Sequence, residues 1–236
     1  MLNKFEYQIL TTTMKCSKNN LKKLQKNQLH NLAEFVVTEN FKHHTGNFSK
    51  RYKSDVKDIY KEELSFYDSS EIFTANNHEG TIMGSIRILK WNFIDVLPIQ
   101  KIFGINPFMV ITKPNLNNVY HIGRFAIRKE VGSINMFKSL LMCVAKLICN
   151  HTENVAFAEC DRKLLRILNL LGVKTKVIGK SINYLGSETF PIIMPYEGVI
   201  DFYNENKHLI EGVLEEKQET YYDIVNQLKN ISIYKV

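Results

Sequence analysis

Residues 119–129 read VYHIGRFAIRK, and this stretch decides the fold class because it is typical of a β-strand. Side chains of a strand alternate between the two faces of a sheet. The alternation predicts one face with Tyr120, Ile122, Arg124, Ala126 and Arg128, and an opposite face with His121, Gly123, Phe125 and Ile127. A glycine inside a strand indicates a β-bulge, or a place where another backbone or a ligand comes close. We therefore predict a strand with an irregular middle at Gly123.

The elements on both sides of this strand indicate a mixed fold. Downstream, Ser133 is a natural N-cap for an apolar helix that ends near Cys149. Upstream, EIFTAN and TIMGSIRILKW predict a β-hairpin, and residues 95–118 are irregular, with a short helix near 99–103 and a strand near 108–111. Further along, NVAFAEC, KTKVIGK and SETFPIIMP predict strands, and DRKLLRILNLLG predicts a basic helix. Helices alternate with only part of the strands, which predicts an α+β fold.

The chain contains no evident linker or internal repeat, so we predict one domain over residues 1–236. Its two ends differ in charge. Basic helices are expected over about 15–67, the first of them over residues 20–44, and an acidic helical tail over about 199–230. Residues 15–53 carry nine Lys or Arg against two Glu, which accounts for the whole net charge of +7.

Composition excludes several classes of protein. Hydrophobic residues make up 44% of the chain, which is enough for a packed core and argues against a disordered chain. The four cysteines, at positions 16, 143, 149 and 160, match neither a zinc knuckle nor a small disulfide framework, and the histidines lack metal-ligand spacing. We therefore predict no metal site. No apolar run is long enough for a signal peptide or a membrane span, so we expect a cytoplasmic protein.

The loop after residue 127 is a candidate phosphate cradle. From Ile127 to Met136 the chain has the order strand, short glycine-containing loop, helix N-terminus. Unpaired N–H groups and the positive end of a helix dipole favour an anion there, and Arg128 and Lys129 would add positive charge. The loop is neither a Walker A motif nor a dinucleotide-binding fingerprint, so an ordinary strand-to-helix turn is the alternative.

Four stretches together resemble a known family. They are HIGRFAI, GSIRIL upstream of it, LPIQKIFGINPFMVITKP between the two, and LLRILNLLGVKTKVIGKSINYLG downstream. Over residues 71–195 they are similar to the acyl-homoserine-lactone (autoinducer) synthases and the long-chain N-acyl amino acid synthases, a branch of the GNAT acyltransferase superfamily. The resemblance implies a GNAT-like fold with a mixed, mostly antiparallel sheet and flanking helices. Two positions depart from the pattern: His121 stands where the family has glutamate, and the superfamily's glycine-rich loop is reduced to residues 128–133.

The resemblance also implies an N-acyltransferase. Such an enzyme moves an acyl group from a thioester to a primary amine, and the amine of an amino acid is one candidate acceptor. The thioester is carried by the phosphopantetheine of acyl carrier protein or by coenzyme A, which are donor substrates rather than tightly bound cofactors. The alternative is a GNAT-like module that has lost catalysis and binds a ligand or a partner.

Acyl transfer needs a base for the amine and hydrogen-bond donors for the oxyanion. His121 is the candidate base, because an imidazole with a pKa of about 6.5 accepts a proton at neutral pH. A strand histidine that is simply packed is the alternative. A backbone N–H at the bulge of Ile122 and Gly123 is the candidate oxyanion donor, and Arg124 beside it completes the catalytic set.

Further residues are implied to bind the substrates. The guanidinium groups of Arg87 and Arg124 suit the carboxylate of an amino-acid-like acceptor, although pairing with Glu71 or Glu159 is the alternative. Phe125 is implied to contact the substrate. The donor cradle is predicted to consist of Ile127, Arg128, Lys129, Gly132 and Ser133.

The basic surface indicates an acidic partner, and acyl carrier proteins are acidic. Two clusters are candidates for docking one: Lys22, Lys23 and Lys26, or Arg162, Lys163 and Arg166. Nucleic acid is a third interpretation of residues 15–53, but the segment has few aromatic residues and no recognised binding motif. We therefore predict no nucleic-acid partner.

Overall fold

The fold is built on one eight-stranded sheet, seen in a computed structural model that describes residues 20–44, 51–111, 115–131, 133–184 and 187–210. The strands are β1 Asn20–Lys23, β2 Ser70–Asn76, β3 Ile82–Lys90, β4 Val119–Ile127, β5 Val155–Asp161, β6 Lys176–Val177, β7 Ile182–Tyr184 and β8 Ser187–Pro195. Their order is β1, β2, β3, β4, β5, β8, β6, and β7 pairs with β8. Only β4 and β5 are parallel among the described pairs, so the sheet is mixed and mostly antiparallel, as predicted.

Helices cover both faces of the sheet. They are α1 Leu29–His44, α2 Tyr52–Phe66, α3 Pro98–Phe103, α4 Pro107–Val110, α5 Ile134–Cys149, α6 Arg162–Leu170 and α7 Tyr196–Asn206, with 3-10 turns at Lys26–Gln28, Tyr67–Ser69, Lys129–Val131 and Lys207–Leu209. The apolar band of α5 packs with Phe73 of β2 and with α7 in one core. Ile72, on the other face of β2, packs instead against Leu29 and Leu32 of α1. The predicted α+β class is therefore confirmed.

The sheet opens between β4 and β5. The two strands pair in parallel from Val119 with Val155 to Ile122 with Ala158, and no pairing continues beyond that point. β4 runs on to Ile127 beside β3, whereas β5 runs on to Asp161 beside β8. The two halves of the sheet thus diverge next to Gly123.

A β-bulge lies in β4 immediately after Gly123. Ser85 of β3 pairs with Ala126 and Arg87 pairs with Gly123, so two residues of β4 face one residue of β3. Arg124, in the bulge, has a φ of 53°, a left-handed conformation that most residues avoid. The extra residue reverses the alternation of side chains that we predicted from here on, because a bulge inserts one position into the period of two.

The reversal is visible in the contacts. Phe125 packs edge to face on Phe137 of α5, with ring centroids 4.8 Å apart, and lies on the same side as Ile122. Arg124 lies on the opposite side with His121, where its Nε donates to Glu63. The prediction that Arg124 shares a face with Ile122 was therefore wrong.

Two other predicted elements differ from the structure. Residues 20–23 form the edge strand β1, and the first helix begins only at Leu29. Residues 107–110 form a short helix rather than a strand, because Pro107 occupies its first turn and the side chain of Asn106 accepts a hydrogen bond from the N–H of Phe108. The hairpin, α5 with its Ser133 cap, and strands β5 and β8 are confirmed.

The predicted acidic tail lies outside the described residues from position 211 onward, as does Gly132. None of the helices in the described ranges has the length and apolar character needed to cross a membrane.

Candidate active site

The opening between β4 and β5 leads into a cavity of about 630 Å³ whose two sides differ in character. Apolar side chains of β8, α5 and α6 line one side, among them Phe137, Leu141, Ile167 and Ile192. Charged and polar side chains line the other side, among them Glu62, Arg87, His121, Arg124 and Glu159. Ligand sites typically have about 300–1,000 Å³ and a few polar groups in an apolar wall. An apolar chain and a reacting polar group can therefore meet at the opening.

A buried ionic network forms the polar side. The carboxylate of Glu63, which is fully buried, accepts from Arg87 Nη1 at 2.8 Å and from Arg124 Nε at 2.6 Å. Glu62 lies 3.0 Å from Arg124 Nη2 and 3.4 Å from Arg87 Nη1. Burial raises the pKa of Glu62, but the guanidinium groups of Arg124 and Arg87 lower it more, so its pKa lies below the usual value. Both arginines are thus paired with carboxylates of α2.

His121 connects this network to Glu159. Its Nδ1 lies 3.2 Å from Arg87 Nη2, and its Nε2 lies 2.9 Å and 3.1 Å from the two carboxylate oxygens of Glu159. A guanidinium group only donates, so Nδ1 must be the acceptor and Nε2 carries the proton that Glu159 accepts. The imidazole is therefore neutral, and it is buried with both nitrogens occupied.

Glu159 is the carboxylate at the point of divergence. It lies in the part of β5 that has left β4, its side chain is 12% exposed, and it faces the cavity. The ion-pair partner that the structure gives it is the neutral imidazole of His121. Two oxygens with one N–H donor between them retain capacity to accept a further hydrogen bond or a proton.

The backbone of β4 directs one N–H into the opening. The Trp91 N–H donates to Val119 C=O on the β3 side, and the Val155 N–H donates to Asn118 C=O on the β5 side. Because backbone groups alternate in direction along a strand, the carbonyl of Gly123 points toward β3 and the N–H of Arg124, across the same peptide plane, points away from it. This N–H lies beyond the last pair of β4 with β5.

The face of α2 toward the cavity carries further acid. Asp55, Ile59 and Glu62 are spaced at helical intervals and all line the cavity. Tyr184 of β7 lines it from another side. The pKa of Tyr184 lies above its usual value, because burial and the charges of Glu62, Glu159 and Asp55 raise it more than Arg124 lowers it.

The predicted donor cradle lies at another end of the same cavity, where its described members Ile127, Arg128, Lys129 and Ser133 are lining residues. Ser133 caps α5, and its Oγ accepts from the N–H of Met136 at 3.5 Å. Arg128 Nη2 donates to Ile82 C=O, and its Nε is buried without a partner. The N–H of Lys129 donates to the buried carboxylate of Glu39 at 2.9 Å, so one donor of the loop is already occupied.

Cys160 also lines the cavity. Burial raises the pKa of its thiol to about 12, and Asp161 and Glu159 add to this effect. Its thiol is thus too weak an acid to protonate a leaving thiolate near neutral pH.

The structure brings together most of the residues that the sequence singled out, since Arg87, His121, Gly123, Arg124 and Phe125 all line the cavity. Arg87 and Arg124 pair with Glu62 and Glu63, not with Glu71 or Glu159. Five residues were not predicted as site residues: Asp55, Glu62, Glu63, Glu159 and Tyr184. Asp55, Glu62 and Glu63 could have been found, because they place acidic residues on the face of α2 that packs against the protein, where apolar residues are expected. Glu63 is fully buried there.

No protein-family model and no curated protein sequence matches this chain. Solved structures do match its fold. FeeM, an N-acyl amino acid synthase from uncultured soil microbes, superposes with a TM-score of 0.56 and 15% identity over 80% of this chain and 96% of FeeM. BjaI, a CoA-dependent acyl-homoserine lactone synthase solved with SAM and isopentyl-CoA, superposes with a TM-score of 0.52 and 10% identity over 77% of this chain and 82% of BjaI. A GNAT-family acetyltransferase from Staphylococcus aureus Mu50 superposes with a TM-score of 0.50 and 12% identity over 75% of this chain and 98% of the acetyltransferase.

These likenesses establish the GNAT-like fold that the sequence resemblance implied. In all of them the identity is at or below 15%, so they speak for the fold and leave the chemistry to be argued from the residues of the cavity.

Proposed function

We propose that this chain is an N-acyltransferase that moves an acyl group from a thioester to a primary amine. The observation that carries the proposal is the divergence of β4 and β5 into a cavity with an apolar side, a carboxylate and an outward N–H. A thioester placed in the opening would meet Arg124 N–H and Glu159 together, with its acyl chain against Phe137 and Leu141. FeeM and BjaI, which share the fold, are named as an N-acyl amino acid synthase and a CoA-dependent acyl-homoserine lactone synthase, and both names agree with this reaction class.

The proposed chemistry uses Glu159 as the base. The acceptor ammonium gives one proton to this carboxylate, and the free amine attacks the thioester carbonyl to form a C–N bond. The oxyanion is stabilised by the N–H of Arg124, which takes the place we predicted for an N–H at Gly123. The C–S bond then breaks, the second proton of the nitrogen leaves with the thiol, and an amide remains.

His121 remains a predicted site residue, with a positioning role in place of the direct base. Its Nε2–H holds the carboxylate of Glu159, and Arg87 fixes the tautomer from the other side. A His121→Ala variant is expected to lower kcat by about tenfold to a hundredfold while the KM for the thioester stays within about twofold. An equal rise in KM with unchanged kcat would contradict the positioning role.

The donor cradle at Arg128, Lys129 and Ser133 is proposed to hold the phosphate of pantetheine at the start of α5. The carrier-protein cluster is proposed to be Arg162, Lys163 and Arg166. Arg162 and Lys163 line the cavity, whereas Lys22, Lys23 and Lys26 lie in or next to β1, with β2 and β3 between that strand and β4.

Charge reversal of the two clusters tests this docking. Lys163→Glu with Arg166→Glu is expected to raise the KM for acyl carrier protein about tenfold and to change the KM for acyl-pantetheine, which has no protein surface to dock, much less. The matched control is Lys22→Glu with Lys26→Glu, which should change neither. Equal effects of the two double variants would contradict docking at α6.

The reaction itself is tested with the purified chain, decanoyl-CoA or decanoyl-pantetheine, and a set of primary amines. Thiol release is followed with a chromogenic disulfide, and the amide is identified by mass spectrometry. Glu159→Gln should lower kcat by about a hundredfold to ten-thousandfold, whereas Glu205→Gln on the exposed face of α7 should not change it. Absence of thiol release with every donor, or full activity of Glu159→Gln, would contradict the proposal.

A further inference from the structure

The polar side of the cavity next to α2 and Glu159 has an excess of negative charge, whereas the other cations of the lining, Arg128, Lys129, Arg162 and Lys163, lie at the donor cradle and on α6. Its carboxylates are Asp55, Glu62, Glu63 and Glu159, and its buried cations are Arg87 and Arg124. His121 adds no charge, because its Nδ1 accepts from a guanidinium group. Two exposed cations, Arg51 and Lys101, approach from the surface, where solvent and salt screen them.

The two arginines are unsuited to hold a substrate carboxylate. Arg87 is 1% exposed, and its terminal nitrogens are held by Glu63 and His121. Arg124 donates through Nε to Glu63, and its Nη2 lies against Glu62. An acceptor carboxylate would have to displace a buried internal carboxylate from a guanidinium group, which leaves that carboxylate uncompensated.

Two of the carboxylates lack a close buried cation within the part of the chain that the structure describes. Glu159 is paired with a neutral imidazole. Asp55 is 3.7 Å from Arg51 Nε, and that arginine is 80% exposed. Both acids line the same cavity, together with Tyr184.

From this geometry we propose that the acceptor is an amine with a second cationic group and no carboxylate, as in diamines and polyamines. The inference rests on the proposed function and names the substrate class of the same site. One amino group would lie at Glu159 and be acylated, and the second ammonium would lie at the Asp55 and Glu62 face of α2. The second ammonium would gain a charge-assisted hydrogen bond there, while a carboxylate in its place would be repelled.

Four acceptors of equal chain length separate the two charges. Pentylamine has one amine, cadaverine adds a second ammonium, δ-aminovalerate adds a carboxylate instead, and lysine carries both. With decanoyl-pantetheine as donor, we expect kcat/KM for cadaverine to exceed that for pentylamine by about tenfold or more. Lysine should fall below cadaverine, and δ-aminovalerate should be the poorest acceptor of the four.

A matched pair of variants on α2 locates the effect. Asp55→Asn is expected to reduce the preference for cadaverine over pentylamine by about tenfold. Asp58→Asn removes the same charge from an exposed position of the same helix outside the cavity lining, and it should leave the preference unchanged.

The outcomes distinguish the two proposals. If the amines are acylated but the kcat/KM for pentylamine, lysine or δ-aminovalerate equals or exceeds that for cadaverine, the inference is overturned while N-acyl transfer stands. An undiminished preference in Asp55→Asn would also overturn it. If none of the four amines is acylated while the donor and enzyme are intact, the proposed function fails and the inference fails with it.

Discussion

Replacing Glu63 with Gln removes the carboxylate that holds two guanidinium groups in the interior. Glu63 is 0% exposed, and its Oε1 lies 2.8 Å from Arg87 Nη1 and 2.6 Å from Arg124 Nε. Removing one partner of a buried ion pair costs about 3–5 kcal/mol, because the remaining charge is left uncompensated. Glu62, at 3.0 Å and 3.4 Å, still faces the two arginines but is 31% exposed. We therefore expect Glu63→Gln to lower the free energy of unfolding by about 3–5 kcal/mol.

Glu62→Gln is the matched control, since it makes the same change at the next residue of the same helix. Ion pairs with solvent access contribute about 0–1 kcal/mol, so its loss should be near 1 kcal/mol. Urea unfolding can be followed by the fluorescence of Trp91, the one tryptophan of the chain, which is buried. With a slope of about 2–3 kcal/mol per molar urea, the midpoint of Glu63→Gln should fall by about 1–2.5 M. A loss in Glu63→Gln no larger than in Glu62→Gln would refute the central place given to Glu63.

Three further predictions follow from single groups. A Cβ at Gly123 would lie 2.8 Å from Nη2 of Arg87, which the ionic network holds in place. Gly123→Ala should therefore lower the free energy of unfolding in urea by about 1–3 kcal/mol. Wild-type stability of this variant would contradict the close approach. The pKa of Glu62 in the folded protein lies below its ordinary value of 4.5, so its contribution to the free energy of unfolding is present above that pH and is lost as the pH falls. Between about pH 5 and about pH 3, wild type should therefore lose more stability than Glu62→Gln. Parallel curves of unfolding free energy against pH for the two proteins would disprove the pairing. Burial raises the pKa of Cys143 to about 12, so its thiol stays protonated at about pH 8. Iodoacetamide should therefore alkylate Cys143 only after unfolding, which peptide mass spectrometry can detect. Alkylation of Cys143 in the native protein would contradict its burial.

The parts of the fold that the sequence predicts are those with a local signal. The helix α5 has an N-cap at Ser133 and a wide apolar band, and β8 ends in the apolar run FPIIMP at residues 190–195. The strand β1 has no such signal, because the letters NLKK at Asn20–Lys23 are mostly polar and the strand exists through its pairing with β2. Pairing over more than forty positions of sequence is a tertiary effect that a local pattern does not contain.

The candidate site divides in the same way. His121, Gly123 and Arg124 lie on one strand, and the family resemblance was sufficient to single them out. Glu62 and Glu63 resemble surface acids of a charged helix, and their role appears only when α2 packs across Arg87 and Arg124. The face of the sheet on which Arg124 lies could not be predicted either, because the one residue inserted by the bulge moves its side chain to the face of His121.

The unpaired edges of β4 and β5 give the strongest physical reason to expect a ligand between them. Backbone donors and acceptors that leave a sheet must find other partners, and exposed edges of this kind are normally kept short or covered. Here the divergence begins in the interior of the sheet, after Ile122 and Ala158, and two atoms of the adjoining network, Glu63 Oε2 and Arg87 Nε, are buried with no hydrogen-bond partner among the described residues. A polar ligand or ordered water that supplies those hydrogen bonds would stabilise the open sheet, whereas an apolar filler would leave them unmet. The open edges of β4 and β5 therefore favour a ligand with hydrogen-bonding groups beside an apolar chain, which is the character of the acyl thioester that we propose as the donor.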